Sequence, residues 1–142
     1  MKTSARNQFV GKVTEVKRGA VNDEIDICID GGQSIVAIVT HESTERLGLK
    51  AGREAFALVK ASSVILLVDG DETKLSTRNR LAGKVARIEP GAVNTEVVVD
   101  LPGGGALAAI ITVESAKNLG LQVGTPVTAI FKASSVIVGT TA

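Results

Sequence analysis

Aromatic residues are almost missing from this chain: three Phe, no Trp and no Tyr among 142 residues. Proteins that hold single-stranded nucleic acid stack bases on aromatic side chains along a basic groove. Here 16 Lys and Arg stand against 15 Asp and Glu, a formal net charge of +1. The composition thus offers neither stacking platforms nor a bulk attraction for nucleic acid or an anionic membrane. One Cys (Cys28) cannot form an internal disulfide, and one Cys with one His (His41) cannot build a zinc site. Cys28 falls on the polar face of its segment and His41 at a helix start, and both read as incidental to chemistry. No apolar run approaches the roughly 20 residues that cross a bilayer. The N-terminus lacks the basic, apolar and small-residue succession of a signal peptide. No G-x-x-x-x-G-K-[ST] stretch marks a nucleotide phosphate loop. These absences predict a soluble cytoplasmic chain with no membrane or nucleic-acid partner and no organic cofactor. No repeated general base is present, so a binding protein is expected and not an enzyme.

What is present is a repeat. KASSVI at 60–65 returns 72 positions later at 132–137. At that offset Ser4, Arg6 and Asn7 fall on Ser76, Arg78 and Asn79. Gly19-Ala20-Val21-Asn22 falls on Gly91-Ala92-Val93-Asn94, and Glu24 on Glu96. Thr40, Glu42 and Ser43 fall on Thr112, Glu114 and Ser115, and Leu47-Gly48-Leu49 on Leu119-Gly120-Leu121. The match runs without a gap from Ser4/Ser76 to Val68/Thr140. Two copies of this length are too long for solenoid units and suit small domains. The expected domains are 1–68 and 75–142, joined by the polar linker Asp69-Gly70-Asp71-Glu72-Thr73-Lys74. Apolar residues make up 44% and mean hydropathy is +0.27. That is more than two separate small cores need, so buried contacts between domains or between chains are expected.

Each copy reads as three strands, a short helix and two strands. Residues 24–30 (EIDICID) alternate strictly, with Ile25, Ile27 and Ile29 on one face and Glu24, Asp26, Cys28 and Asp30 on the other. Gly31-Gly32 marks a hairpin. Thr40 reads as an N-cap with Glu42 in the first turn, and Gly48 as the stop of a helix over 41–47. The expected strands are 10–18, 24–30, 34–39, 54–60 and 64–68. In the second copy they are 83–89, 95–101, 106–111, 126–131 and 135–139, with a helix at 113–119. This order predicts an all-β fold of two tandem OB-like five-stranded barrels, each with one short helix.

Most repeated residues are apolar or Gly and are accounted for by the fold. The polar ones need another reason: Ser4, Arg6, Asn7, Thr40, Lys60, Ser62 and Ser63, with Ser76, Arg78, Asn79, Thr112, Lys132, Ser134 and Ser135. All can donate hydrogen bonds, two per copy are cations, and no acid appears among them. That inventory suits an oxyanion, since Arg offers a planar fork, Lys a compact charge, and hydroxyls and turn N–H groups the remaining donors. Each residue also has a plain alternative: a solvated cation, a Ser turn, or a Thr that only caps a helix.

SARNQ at 4–8, GAVN-x-E at 19–24, VTHES at 39–43 followed by LGL at 47–49, and KASSVI at 60–65 together resemble the molybdate-binding Mop domain of the molbindin family. The resemblance covers nearly the whole chain, twice. It departs at Thr77 for Ala5 within STRNR, and at ITVES for VTHES. It implies OB-like barrels, six around a threefold axis, and so a homotrimer of this two-domain chain. It further implies that molybdate or tungstate binds between domains as an intact tetrahedral dianion, held through oxygen with no direct metal ligand from protein. By motif position, one site would use Ser4, Ala5, Arg6 and Asn7, with Lys60, Ala61 and Ser62 from a neighbouring domain and Thr40 nearby. Its second-copy counterpart would use Ser76, Thr77, Arg78, Asn79, Thr112, Lys132, Ala133 and Ser134. A second class near the threefold axis would use Gly19, Ala20, Val21 and Asn22, and Gly91, Ala92, Val93 and Asn94, through backbone N–H groups. The function implied is molybdenum storage and homeostasis. The alternative is a molybdate-sensing regulatory or adaptor module that acts through a protein partner.

Overall fold

The computed structural model describes residues 2–70 and 73–141. The fold is all-β with two short helices: tandem OB-like barrels built from two five-stranded sheets. The first copy supplies β1 (Asn7–Lys17), β2 (Asn22–Ile29), β3 (Ser34–Thr40), α1 (His41–Leu47), β4 (Glu54–Val59) and β5 (Ile65–Leu67). The second supplies β6 (Asn79–Pro90), β7 (Asn94–Asp100), β8 (Ala106–Thr112), α2 (Val113–Asn118), β9 (Pro126–Phe131) and β10 (Ile137–Gly139). A single 3₁₀ turn precedes each last strand, at Ala61–Ser63 and Ala133–Ser135.

Local chemistry sets these elements. The alternation in β2 buries Ile25, Ile27 and Ile29. Thr40 is extended and its hydroxyl accepts from the Ser43 N–H at 3.1 Å, which starts α1. Gly48 at φ 64° ends it, in a left-handed conformation that costs Gly little. At Gly11 and Gly83 the strands approach too closely for any side chain. A Cβ there would lie 2.1 Å from the Cys28 carbonyl oxygen and 2.2 Å from that of Asp100. Each sits just before a register shift in its long first strand.

The sequence-contiguous copies are not the barrels. One sheet runs β10-β4-β1-β2-β3 and the other β5-β9-β6-β7-β8. Each barrel takes its last strand from the other copy. The limits 1–68 and 75–142 therefore describe the repeat, while strand pairing crosses them. Side-chain size is matched to this choice of partner. Gly139 of β10 pairs with Phe56 of β4, and Leu67 of β5 with Thr128 of β9. Without exchange, Leu67 would face Phe56, and Gly139 would face Thr128. A Cβ on Gly139 would already lie 2.3 Å from the Phe56 ring. Gly139→Leu is therefore expected to destabilise the chain by about 1–3 kcal/mol through overcrowding. Adding Phe56→Thr, which recreates the Leu67–Thr128 pair, should recover most of that loss. Urea unfolding midpoints of the single and double variants check both expectations.

The exchange also joins the interiors. Buried apolar residues of both copies, from Phe9 to Val138, form one continuous cluster. Part of the apolar excess in the composition is thereby used within the chain. The linker is held as well: Arg80 donates to the carbonyls of Thr73 at 2.6 Å and Gly70 at 2.7 Å. Asp71 and Glu72 of that linker lie outside the described residues.

Candidate functional site

Two related clefts lie where the copies meet. β1 pairs with β4 so that Asn7 stands opposite Val59. The residues just before β1 and just after β4 therefore emerge side by side. Ser4, Ala5 and Arg6 line one cleft of about 400 Å³ together with Lys60, Ala61 and Ser62. The resemblance implies Lys60–Ser62 from a neighbouring domain; within this chain the β1–β4 register brings both motifs of one copy to the same cleft. The other copy contributes Ile110 of β8, Ser135 at the end of the second 3₁₀ turn and Ile137 of β10. The counterpart cleft, about 260 Å³, is lined by Ser76, Thr77, Arg78, Lys132, Ala133 and Ser134, facing Glu24, Val36 and Ile38 of the first copy.

The donors differ in availability. The 3₁₀ turn at 61–63 uses the N–H groups of Ser63 and Val64 for its own bonds. Those of Ala61 and Ser62 begin the turn and fall outside that pattern. Lys60 is exposed at the cleft rim, and Lys132 likewise. Thr77, which departs from Ala5, donates its hydroxyl to the Phe131 carbonyl at 2.7 Å. It adds bulk to the second cleft and spends its proton on the backbone.

Asn7 and Asn79 line neither cleft. Both are buried, and their amides act as short strand edges. Asn79 Nδ2 donates to the Val36 carbonyl and its Oδ1 accepts from the Val36 N–H, both at 2.8 Å. Asn7 does the same with Ala108 at 2.8 and 2.7 Å. Their side chains fasten each copy to the edge strand of the other and are withdrawn from ligand contact. Thr40 and Thr112 are also away from the clefts. Each caps its helix and lies at the end of β3 or β8, opposite Asn22 or Asn94.

The arginines have partners that sequence reasoning missed. Arg6 Nη1 lies 2.6 Å from Glu96 Oε2, and Arg78 pairs with Glu24. The hydrogen bond from Arg78 holds the Glu24 carboxyl below its ordinary range, against the opposing effect of burial, and Glu24 in turn raises the Arg78 guanidinium. The signal was in the repeat, since Glu24 and Glu96 coincide. The pairing crosses between copies, which sliding one copy along the other cannot reveal.

The GAVN turns at 19–22 and 91–94 are exposed, with Val21 and Val93 over 70% accessible. One N–H in each is already committed: Gly19 to the Asp23 carboxylate at 2.9 Å, and Gly91 to the Asn94 carbonyl at 2.8 Å. Asp23 is excluded from solvent and contacts His41 Nδ1 at 3.0 Å. His41 is thus half of a brace beneath the first turn and not a bystander. Bonds from Thr44, Gly19 and His41 hold the Asp23 carboxyl below its ordinary 3.8, opposed by desolvation. Between its folded and unfolded values the unfolded chain binds more protons, so stability rises with pH there. The contribution of Asp23 is complete above about pH 4 and is lost as pH falls through the folded value. In thermal melts between about pH 6 and pH 2.5, Asp23→Asn should therefore be the less stable protein at the upper end, with the gap closing on acidification. The second copy has Thr95 and Val113 at these positions and lacks the brace.

Among the described residues no three His, Cys, Asp or Glu side chains gather to hold a metal ion, and no helix is long and apolar enough to cross a membrane. The clefts offer cations, hydroxyls and N–H groups, a set that addresses the oxygens of an anion.

Comparison with known proteins places the chain in a family. The TOBE domain model matches residues 3–66 and again 75–138. The molybdenum-pterin-binding protein MopA of Rhodobacter capsulatus is 47% identical over 96% of this chain and 52% of its own length. The molybdenum transport protein ModE of Azotobacter vinelandii is 47% identical over 96% of this chain and 50% of its own. The chain thus spans about half the length of the curated relatives it matches. A solved structure of the cytoplasmic molybdate-binding protein ModG, with molybdate bound, superposes with a TM-score of 0.97 at 48% identity, over 99% of this chain and 100% of that one. With the family model matched twice and the tandem architecture of ModG reproduced from end to end, the chain belongs to the TOBE-domain family as a two-copy member.

Proposed function

We propose that this chain binds molybdate, or the similarly shaped tungstate, as an intact tetrahedral dianion in the two clefts, and that it serves as a cytoplasmic store of molybdenum. The observation that carries this reading is the full-length likeness to ModG, whose structure holds molybdate. The local chemistry supports it. In each cleft a Lys, an Arg, two Ser hydroxyls and the first N–H groups of a 3₁₀ turn converge, as at Ser4, Arg6, Lys60, Ala61 and Ser62. Such charge-assisted donors hold oxyanions tightly because they replace the water lost on binding. The anion enters and leaves without covalent change, so no catalytic step is assigned.

A homotrimer fits the surface. Val10, Ile65 and Ile137 remain 56–62% exposed on strands, and Val21 and Val93 stand out on the turns. Covering such residues is a common reason for self-association. In a threefold assembly the GAVN turns, with Thr40 and Thr112 beside them, supply a second class of anion site through backbone N–H groups.

A second reading rests on the ModE relatives. The DNA-binding transcriptional dual regulator ModE of Escherichia coli strain K12 is 38% identical over 99% of this chain and 53% of its own length. On that reading the same clefts sense molybdate and pass the signal to a protein partner.

Titration calorimetry with molybdate, repeated in excess sulfate and phosphate, tests the site. Tight multi-site binding that survives the competitors is expected. No heat, or heat abolished by sulfate, would remove molybdate as the ligand. Sedimentation equilibrium of the same samples tests the trimer.

A further inference from the structure

Each cleft arginine is held by a carboxylate of the other copy, and each of those carboxylates touches a second cation. Glu24 meets Arg78 and also lies 3.7 Å from Lys17 Nζ. Glu96 lies 2.6 Å from Arg6 and 3.1 Å from Arg87 Nη2. The second cations occupy non-equivalent places. Lys17 coincides with Glu89 in the repeat, and Arg87 with Glu15. Lys17 stands directly opposite Glu24 across β1 and β2. Glu96 stands opposite Glu89, a like charge, and Arg87 bridges the two. The copies have exchanged signs along this face, yet each keeps a carboxylate between a cleft arginine and a flanking cation. The charge pattern differs while the three-membered arrangement is the same, so the arrangement is not explained by simple retention of a duplicated sequence.

A dianion in the cleft needs the guanidinium that the carboxylate occupies. A carboxylate left beside a bound dianion would oppose it, since like charges at such range repel. A flanking cation gives the carboxylate somewhere else to go. Glu24 and Glu96 are partly buried, with side chains 28% and 14% exposed, so solvent alone receives them poorly.

Building on the oxyanion reading above, we infer that Glu24 and Glu96 are displaceable counter-ions. Each holds the arginine of the opposite copy's cleft and is transferred to Lys17 or Arg87 when an oxyanion takes that arginine. They lower affinity, and so set how readily the anion is released. Lys17 and Arg87 are positioning residues that act through them.

The test is calorimetry with molybdate at low salt on the full chain, with Glu24→Gln/Glu96→Gln and Lys17→Met/Arg87→Met measured beside the unaltered protein. Removing both carboxylate charges should raise affinity about tenfold per cleft, the scale of one partly screened charge pair. Removing the receiving cations should lower it about threefold or more, because the carboxylates stay on the arginines. A thermal-shift series gives an independent readout. Glu24→Gln/Glu96→Gln should melt below the unaltered protein without molybdate, and the difference should shrink as molybdate is added. Molybdate binding by the unaltered protein, with the Gln variant at equal or lower affinity, would overturn the inference alone. No binding by the unaltered protein would remove the reading of the clefts and this inference with it.

Discussion

Lys60→Ala combined with Lys132→Ala is expected to lower oxyanion affinity by more than tenfold in each cleft while leaving thermal unfolding almost unchanged. Both lysines stand exposed at the rims, just before their 3₁₀ turns. Among the described residues neither takes part in an ion pair, whereas the cleft arginines are held by Glu96 and Glu24. Their charge is thus free for a ligand, and the fold depends little on it. A hydrogen bond to a charged partner contributes about 1.5–3 kcal/mol, or roughly 10- to 150-fold in affinity. Surface substitutions away from special features usually change stability by less than about 0.5 kcal/mol. The two readouts therefore separate. Calorimetry should show the loss and differential scanning calorimetry should not. Unchanged affinity would take the lysines out of the site and leave the arginines and turn N–H groups to hold the anion. Lys→Arg at both positions adds a geometric check. The flat fork suits a carboxylate or phosphate edge but does not reproduce a point charge at the rim, so only partial recovery is expected.

The sequence made the local elements legible because their causes are local. The alternation of Ile25, Ile27 and Ile29, the Thr40 cap and the Gly48 stop each involve residues within a few positions of one another. The clefts were half legible for the same reason: the donors repeat, and a repeated set of hydrogen-bond donors suggests an anion. What stayed hidden crosses between the copies. Exchange of β5 and β10 leaves the periodicity of both strands intact, so no pattern records which barrel they join. The size-matched pairs Gly139–Phe56 and Leu67–Thr128 join residues about 80 and 60 positions apart in sequence. The carboxylates Glu24 and Glu96 were visible as a repeat, with Glu24 on the polar face of its strand, but their role was not, because their partners lie on the other copy. The single His was likewise read alone, while its role depends on buried Asp23 in β2.

The most instructive of these crossings is the pair of buried asparagines, and their replacement should cost more stability than any other change described above. Asn79 serves both backbone groups of Val36, in a place where water does not reach its amide. Asn79→Ala leaves a buried N–H and a buried carbonyl without partners, at about 1–3 kcal/mol each. A total near 3–4 kcal/mol lowers the melting temperature of a chain this size by roughly 10 °C. Asn7→Ala should cost less, because the bonds of Asn7 to Ala108 are only partly buried and water can replace them. The order Asn79 above Asn7 is the first check, by calorimetric melting of each variant. Asn79→Asp is the sharper one. Aspartate can still accept from the Val36 N–H, but its second oxygen faces the Val36 carbonyl with no proton between them. Near neutral pH it should therefore be worse than alanine, since a charge is buried as well. Protonation restores the missing donor. Burial and the facing carbonyl both favour that protonated form, so the aspartate variant should regain stability relative to alanine as pH falls. A variant whose deficit ignores pH would mean that the amide donor toward Val36 contributes little. Packing of the edge strand, and not this bond, would then hold the two copies together and keep the clefts between them in shape.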